Sequence, residues 1–343
     1  MYRQFYSLTF VLTFYLVSAS LSAAENSLTI ALGSCAEQDK TQNIWNVISK
    51  KNPDLFVFMG DNVYIDSSDP KDMNKAYSML SNNSNFALFR KSTPVIGTWD
   101  DHDFGLSDGG KSFVGKMDAK KAFIEFFDYQ ELQQVAGADR GVYHTKELSI
   151  NDKKIQIILL DTRWFRDDLQ KGFLTKEQRN SLELGPYQPS WDKNKTMLGE
   201  QQWDWLKNEL QKPFDFRIIV SSIQVIPEYT GWESWANLPF ERKRLLDMVY
   251  DFTDNTVFVS GDVHRAEISK LKYKEKTFIE VTSSALASRV YPAAPNKYRV
   301  REALITENFA TLNFSDDKNL KVLGSIFDSN GKLKLSIDIP VKN

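Results

Sequence analysis

The run Phe56-Val57-Phe58-Met59-Gly60-Asp61-Asn62-Val63-Tyr64 decides how the chain is read: an apolar stretch stops at Gly-Asp and offers a tyrosine three positions further on. An apolar run without polar alternation predicts a strand covered on both faces, and open α/β sheets gather reactive groups where such strands end. Three other runs have the same form. Thr29-Ile30-Ala31-Leu32 leads into Gly33-Ser34-Cys35, and Pro94-Val95-Ile96 leads to Trp99-Asp100-Asp101-His102-Asp103. Val257-Phe258-Val259-Ser260 leads to Gly261-Asp262-Val263-His264. Four strand ends therefore deliver Cys, Asp, Tyr and His toward what could be one rim.

Outward from these runs, apolar spacing predicts α/β alternation. A helix is expected from Thr41 to Lys50, another from the Asp69-Pro70 start to about Leu80, and a third capped by Asp118. Val142 to Leu148 and Lys154 to Leu160 read as adjacent strands. Arg166 to Lys195 is polar and rich in Gly and Pro, a long surface excursion of the kind that often carries function. Helices from Gly199 to Gln211 and from Pro239 to Phe252 flank the strand Phe216 to Ser221. Beyond Ser260, strands at Phe278 to Val281, Ala310 to Phe314, Leu320 to Ile326 and Lys334 to Ile339 follow in quick succession, so the pattern turns antiparallel. No linker divides the chain, and residues 25–343 are expected to form one domain.

The 343 residues are 42% hydrophobic and 26% charged, which excludes a disordered or fibrous chain. Residues 1–24 carry Arg3, the apolar stretch Leu8 to Val17 and small residues up to Ala24, the pattern of a cleavable signal peptide. The run is shorter than the roughly 20 residues a spanning helix needs, so a secreted or periplasmic protein with no membrane span in the mature chain is expected. With net charge −2 and no basic run, nothing suggests nucleic-acid binding. Cys35 is the single cysteine, so within the chain it is either an idle buried thiol or a functional one.

Carboxylates at several strand ends suit oxygen-preferring metals, because each brings charge and two oxygens while the strand fixes its direction. One Gly-Asp turn alone would more often be a simple turn residue. Here two of the three histidines, His102 and His264, and the only cysteine lie within these same motifs.

Together, Gly33-Ser34-Cys35, Gly60 to Tyr64, Trp99 to Gly105 and Ser260 to His264 resemble the blocks of the PhoD-type alkaline phosphatases, a branch of the calcineurin-like metallophosphoesterases. Leu160-Asp161-Thr162-Arg163, Leu198 to Trp203 and Val220-Ser221-Ser222 extend the resemblance, which spans about Ile30 to Ser284. It implies the calcineurin-like α/β fold, a two-layer β core flanked by helices. It also implies a binuclear or larger metal centre, Fe³⁺ with Ca²⁺, held by Cys35, Asp61, Tyr64, Asp101, Asp262 and His264. His102, with Asp103 beside it, is expected to act as general acid, and Arg163 to contact phosphate. Many relatives have Asn where this chain has Ser107. The implied reaction is hydrolysis of phosphate monoesters or diesters by a metal-held hydroxide. A non-catalytic secreted protein that keeps the fold to bind metal or phosphate remains the alternative.

Overall fold

The computed structural model describes residues 26–228 and 230–342, so the expected signal peptide lies outside the described residues. The strands are β1 (Ser27–Gly33), β2 (Leu55–Met59), β3 (Val95–Thr98), β4 (His144–Ile150), β5 (Lys153–Leu159), β6 (Phe216–Ser221), β7 (Thr256–Ser260), β8 (Ala266–Tyr273), β9 (Lys276–Ser283), β10 (Asn308–Asp316), β11 (Leu320–Asp328) and β12 (Leu333–Ile339). They form two sheets, in the orders β12-β11-β10-β1-β2-β3 and β4-β5-β6-β7-β9-β8. In the first, β1, β2 and β3 run parallel, and β10 returns antiparallel beside β1. In the second, β5, β6, β7 and β9 run parallel, with β4 and β8 antiparallel at the two edges.

Strand alternation explains why the central runs are apolar throughout. Val57 and Met59 of β2 face the layer between the sheets, where they meet Ile157 of β5, Val220 of β6 and Val259 of β7. Phe56 and Phe58 face the opposite way, into a layer closed by Trp45, Phe86 and Phe89 from helices Ile44–Ser49 and Ser84–Ser92. The outer face of the second sheet, including Ile219 and Phe258, is covered by helices Gly199–Leu210 and Pro239–Phe252. Helix, sheet, sheet and helix thus stack in four layers, the expected core. Burial of each such side chain contributes about 1.5–3 kcal/mol, and Trp45 adds edge-to-face contacts with Phe56 and Phe58.

The expected helix capped by Asp118 begins earlier, at Lys116 with Gly115 as N-cap, which places Asp118 inside its first turn. The run corresponding to β8 was not read as a strand because Glu267, Lys270 and Lys272 interrupt its apolar pattern. The excursion after Arg166 is largely irregular, with one short helix at Lys176–Ser181. No helix among the described residues is long and apolar enough to cross a membrane.

The third histidine, His144, opens β4 and is buried away from the motif residues. Its Nδ1–H donates to the Val142 carbonyl at 2.6 Å, and its Nε2 accepts from the Tyr129 hydroxyl. Burial pulls its pKa down to about 4, only partly offset by the Val142 hydrogen bond. Between the unfolded value near 6.5 and about 4, the unfolded chain therefore binds a proton that the folded chain refuses, and stability falls as pH drops through that window. At pH 5 the loss should be about 2 kcal/mol. Melting curves of His144→Gln should accordingly decline less between pH 7 and pH 5 than those of the parent.

Candidate active site

All the parallel strands of both sheets end on one edge, and the residues that follow them turn sharply. Cys35, Asp61, Asp262 and His264 have φ of 60°, 50°, 65° and 51°. L-residues adopt this left-handed region at a cost, and such strain gathers at functional sites. Two glycines make the convergence possible. A Cβ on Gly60, whose φ is +97°, would lie 2.5 Å from the Asp100 Cβ, and one on Gly261 would lie 2.8 Å from the Met59 carbonyl.

The donor atoms of Cys35, Asp61 and His264 lie within 4.8 Å of one another, and so do those of Asp61, Asp100, Asp101 and Asp262. Asp61 belongs to both groups, at the seam between the sheets. The Cys35 thiol donates to Asp61 Oδ2 at 3.3 Å and lies 3.1 Å from the Ser284 hydroxyl, which follows β9. Tyr64 brings its hydroxyl to 3.2 Å from His264 Nε2. The six expected ligand residues are thus brought together.

This clustering is electrostatically costly without a cation. Burial, then the charges of Cys35 and Asp101, push the Asp61 pKa up. Burial, then Asp100 and Glu233, do the same to Asp262. Burial pushes the Cys35 thiol up to about 11, against hydrogen bonds from Ser284 and Ser34. Groups so placed must either hold protons or share a cation.

His102 stands beside this cluster. Its ring centroid lies 4.3 Å from that of Tyr64 with the planes tilted by 33°, and its Nδ1 meets both carboxylate oxygens of Asp66 at 2.8 and 2.9 Å. Burial lowers the His102 pKa, but the hydrogen bond to Asp66 and the charges of Asp61 and Asp101 outweigh it and push it up to about 11. Asp66 was not singled out from the sequence.

Asp103, expected next to His102, is turned elsewhere. Both sit on the short helix Asp101–Phe104, and successive helical side chains point about 100° apart. Asp103 instead accepts from the Asp100 backbone N–H at 2.6 Å and from Asn62, bracing the two ligand loops from within.

Arg163, expected to contact phosphate, is fully buried and has no donor to spare. Its Nε donates to Asp100 at 2.6 Å, Nη1 to the Gly109 carbonyl and Glu233, and Nη2 to Asp100 and Glu233. A guanidinium offers five N–H groups, and all five are engaged. Glu233 also pairs with Arg166 at 2.9 Å, and its carboxylate lies within 4.8 Å of those of Asp101 and Asp108. Asp108 is positioned in part by its own backbone N–H, which donates to Asp101 Oδ2 at 2.7 Å. Ser107, beside it, is exposed. Of the two tryptophans in the 224–237 loop, Trp235 is buried with its indole N–H on Ser221, while Trp232 is half-exposed.

A profile of PhoD-like phosphatases matches residues 30–322. The chain belongs to the PhoD-like phosphatase family. It is 22% identical over 291 residues to alkaline phosphatase D of Bacillus subtilis (strain 168), covering 71% of this chain and 47% of that protein, so it spans about half the length of this curated relative. A solved structure of PhoD superposes with a TM-score of 0.68 at 16% identity, covering 92% of this chain and 72% of the other. A dimetal phosphatase from Danio rerio gives 0.56 at 14% identity over 92% and 99%. GAP50, the anchor in the inner membrane complex of Plasmodium, gives 0.57 at 14% identity over 92% and 90%. At these identities the structural likeness establishes the fold.

A metal centre, which the PhoD-like family implies, fits the residues present. Asp101 Oδ1 and Asp100 Oδ2 are buried carboxylate oxygens without a hydrogen-bond partner among the described residues. Such orphaned acceptors are costly unless something fills their lone pairs. The two donor groups also differ. Cys35 and His264, with the Tyr64 hydroxyl beside His264, offer thiol, imidazole and phenol in one, whereas the other is built on the carboxylates of Asp61, Asp100, Asp101 and Asp262, with a His102 ring nitrogen within 4.8 Å of Asp61 and Asp101 oxygens.

Proposed function

We propose that this chain is a metal-dependent phosphoesterase that hydrolyses phosphate monoesters, diesters or both. The observation that carries this reading is the convergence of Cys35, Asp61, Tyr64, Asp101, Asp262 and His264 on one rim, with Asp61 common to two donor groups and His102 alongside. Thiolate and phenolate beside carboxylate and imidazole favour a polarisable, high-charge ion such as Fe³⁺, and the carboxylate-rich group favours Ca²⁺. Bound there, the metals would neutralise phosphate charge and lower the pKa of water at the site.

The chain's own residues do the rest. Asp66 holds His102 through Nδ1, which leaves Nε2 as the ring atom that can deliver a proton to the leaving oxygen. Tyr64 packs on that ring and limits its rotation. Arg163 fixes Asp100, and with it the turn that presents Asp101. Residues 1–24 are proposed to export the chain, which the N-terminal sequence of the mature protein would test.

Metal analysis of the natively purified protein with an absorption spectrum tests the centre. Tyr64→Phe keeps the ring and removes the oxygen that a ferric ion would share in a charge-transfer band. It is expected to shift or bleach the colour, lower iron content and cost at least about 10-fold in rate, the scale seen when even an outer-shell partner is lost. A colourless parent that stays fully active after chelation would overturn the assignment.

A further inference from the structure

After β9 the chain returns along the rim, and its residues 288–291 wrap His264. Ser288 Oγ lies 3.2 Å from His264 Nδ1, and that nitrogen also faces the Arg289 carbonyl. The Tyr291 backbone N–H donates to the His264 carbonyl at 3.2 Å, and the two rings lie 4.9 Å apart at 36°. Yet Tyr291 is 46% exposed, whereas His264 is 9% exposed. An aromatic ring is thus fixed against a candidate ligand and still open to solvent. Half-exposed rings beside a polar centre offer a stacking surface for the organic part of a ligand.

The placement says which organic part. His102, the proton donor to the leaving oxygen, follows β3 of the first sheet, whereas His264 and Tyr291 belong to the rim of the second. Tyr64 stands between them, 4.3 Å from the His102 ring and 6.4 Å from that of His264. In an in-line displacement the leaving group departs toward its proton donor. The attacking oxygen enters opposite the leaving one, so the substituent that stays on phosphorus lies on the equator between them, and a ring on Tyr291, set away from His102, is placed to meet that substituent and not the leaving group.

We propose that Tyr291 is a specificity-determining residue, the platform for the substituent that stays on phosphorus, so that the site favours phosphodiesters whose retained group is a planar ring. This rests on the phosphoesterase reading above. The matched test uses bis(4-nitrophenyl) phosphate and methyl 4-nitrophenyl phosphate, which share a leaving group and differ only in the retained one. On the metal-loaded enzyme, Tyr291→Ala should lower kcat/KM for the diaryl ester by about 3- to 10-fold and leave the methyl ester within about 2-fold, while Tyr291→Phe keeps the parent's ratio. Calorimetry should show Tyr291→Ala weakening phenylphosphonate binding by a similar factor and sparing methylphosphonate. Equal losses on both esters, with metal content lowered, would overturn the proposal by showing that Tyr291 only braces His264. Unchanged kinetics on both would overturn it as well. A parent that hydrolyses 4-nitrophenyl phosphate but neither diester overturns the diester preference, whereas one that hydrolyses none of the three defeats the phosphoesterase reading instead, and selective loss of phenylphosphonate binding would then still support the platform.

Discussion

His102→Ala is expected to slow hydrolysis of esters with poor leaving groups by roughly 10²–10⁴-fold, while activated esters such as 4-nitrophenyl phosphate lose much less. The asymmetry follows from the role proposed for the ring. A poor leaving oxygen needs a proton as its bond to phosphorus breaks, whereas nitrophenolate leaves without one. Metal content should stay near that of the parent, because the six proposed ligands do not include this ring, close as one of its nitrogens lies to Asp61 and Asp101. Asp66→Asn should reproduce part of the same leaving-group dependence, since it keeps a partner for Nδ1 and removes the charge. Uniform loss on all esters together with metal depletion would make His102 a ligand.

The second large effect concerns stability. Arg163→Met removes the guanidinium that Asp100 and Glu233 share in a fully buried setting, leaving Asp100 with the Ser222 hydroxyl and Glu233 with Arg166. Breaking a buried charge pair from one side typically costs about 3–5 kcal/mol, because the remaining charge cannot be resolvated. Chemical denaturation should register a loss of that size. The double variant Arg163→Met with Glu233→Gln should recover part of it, as one of the two acidic charges is gone. If the single variant is as stable as the parent and loses only phosphate affinity, Arg163 binds substrate after all.

What could be read from the sequence follows from how local each signal is. Strand ends marked by Gly-Asp, Trp-Asp-Asp-His and Gly-Asp-Val-His announce themselves because an apolar run and the polar turn after it are neighbours in the chain. The four-layer core was legible for the same reason: runs such as Phe56 to Met59 have no polar face to leave in water. The residues that escaped notice act over distance. Asp66 reaches His102 across 36 positions, and Glu233 reaches Arg163 across 70 from a stretch that reads as surface loop. Ser284 was seen only as the margin of the family resemblance. Asp103 misled in the opposite way: adjacency in sequence suggested contact, and a single turn of helix sent the two side chains apart.

The division of the site between two sheets has a consequence for the order of events in the cell. Cys35 meets Ser284 across 249 positions, and its strand acquires its outer neighbour only when Asn308–Asp316 has been made. Ribosomes add residues from the N-terminus, so the thiol emerges long before the serine, the histidine and the second layer of β structure that enclose it. Closing so wide a loop is slow compared with local helix formation. Throughout synthesis Cys35 and Asp61 therefore travel as ordinary unshielded side chains, and the centre they build is among the last parts of the molecule to exist. Metal uptake at the proposed centre is then a maturation step of the finished chain rather than of the growing one.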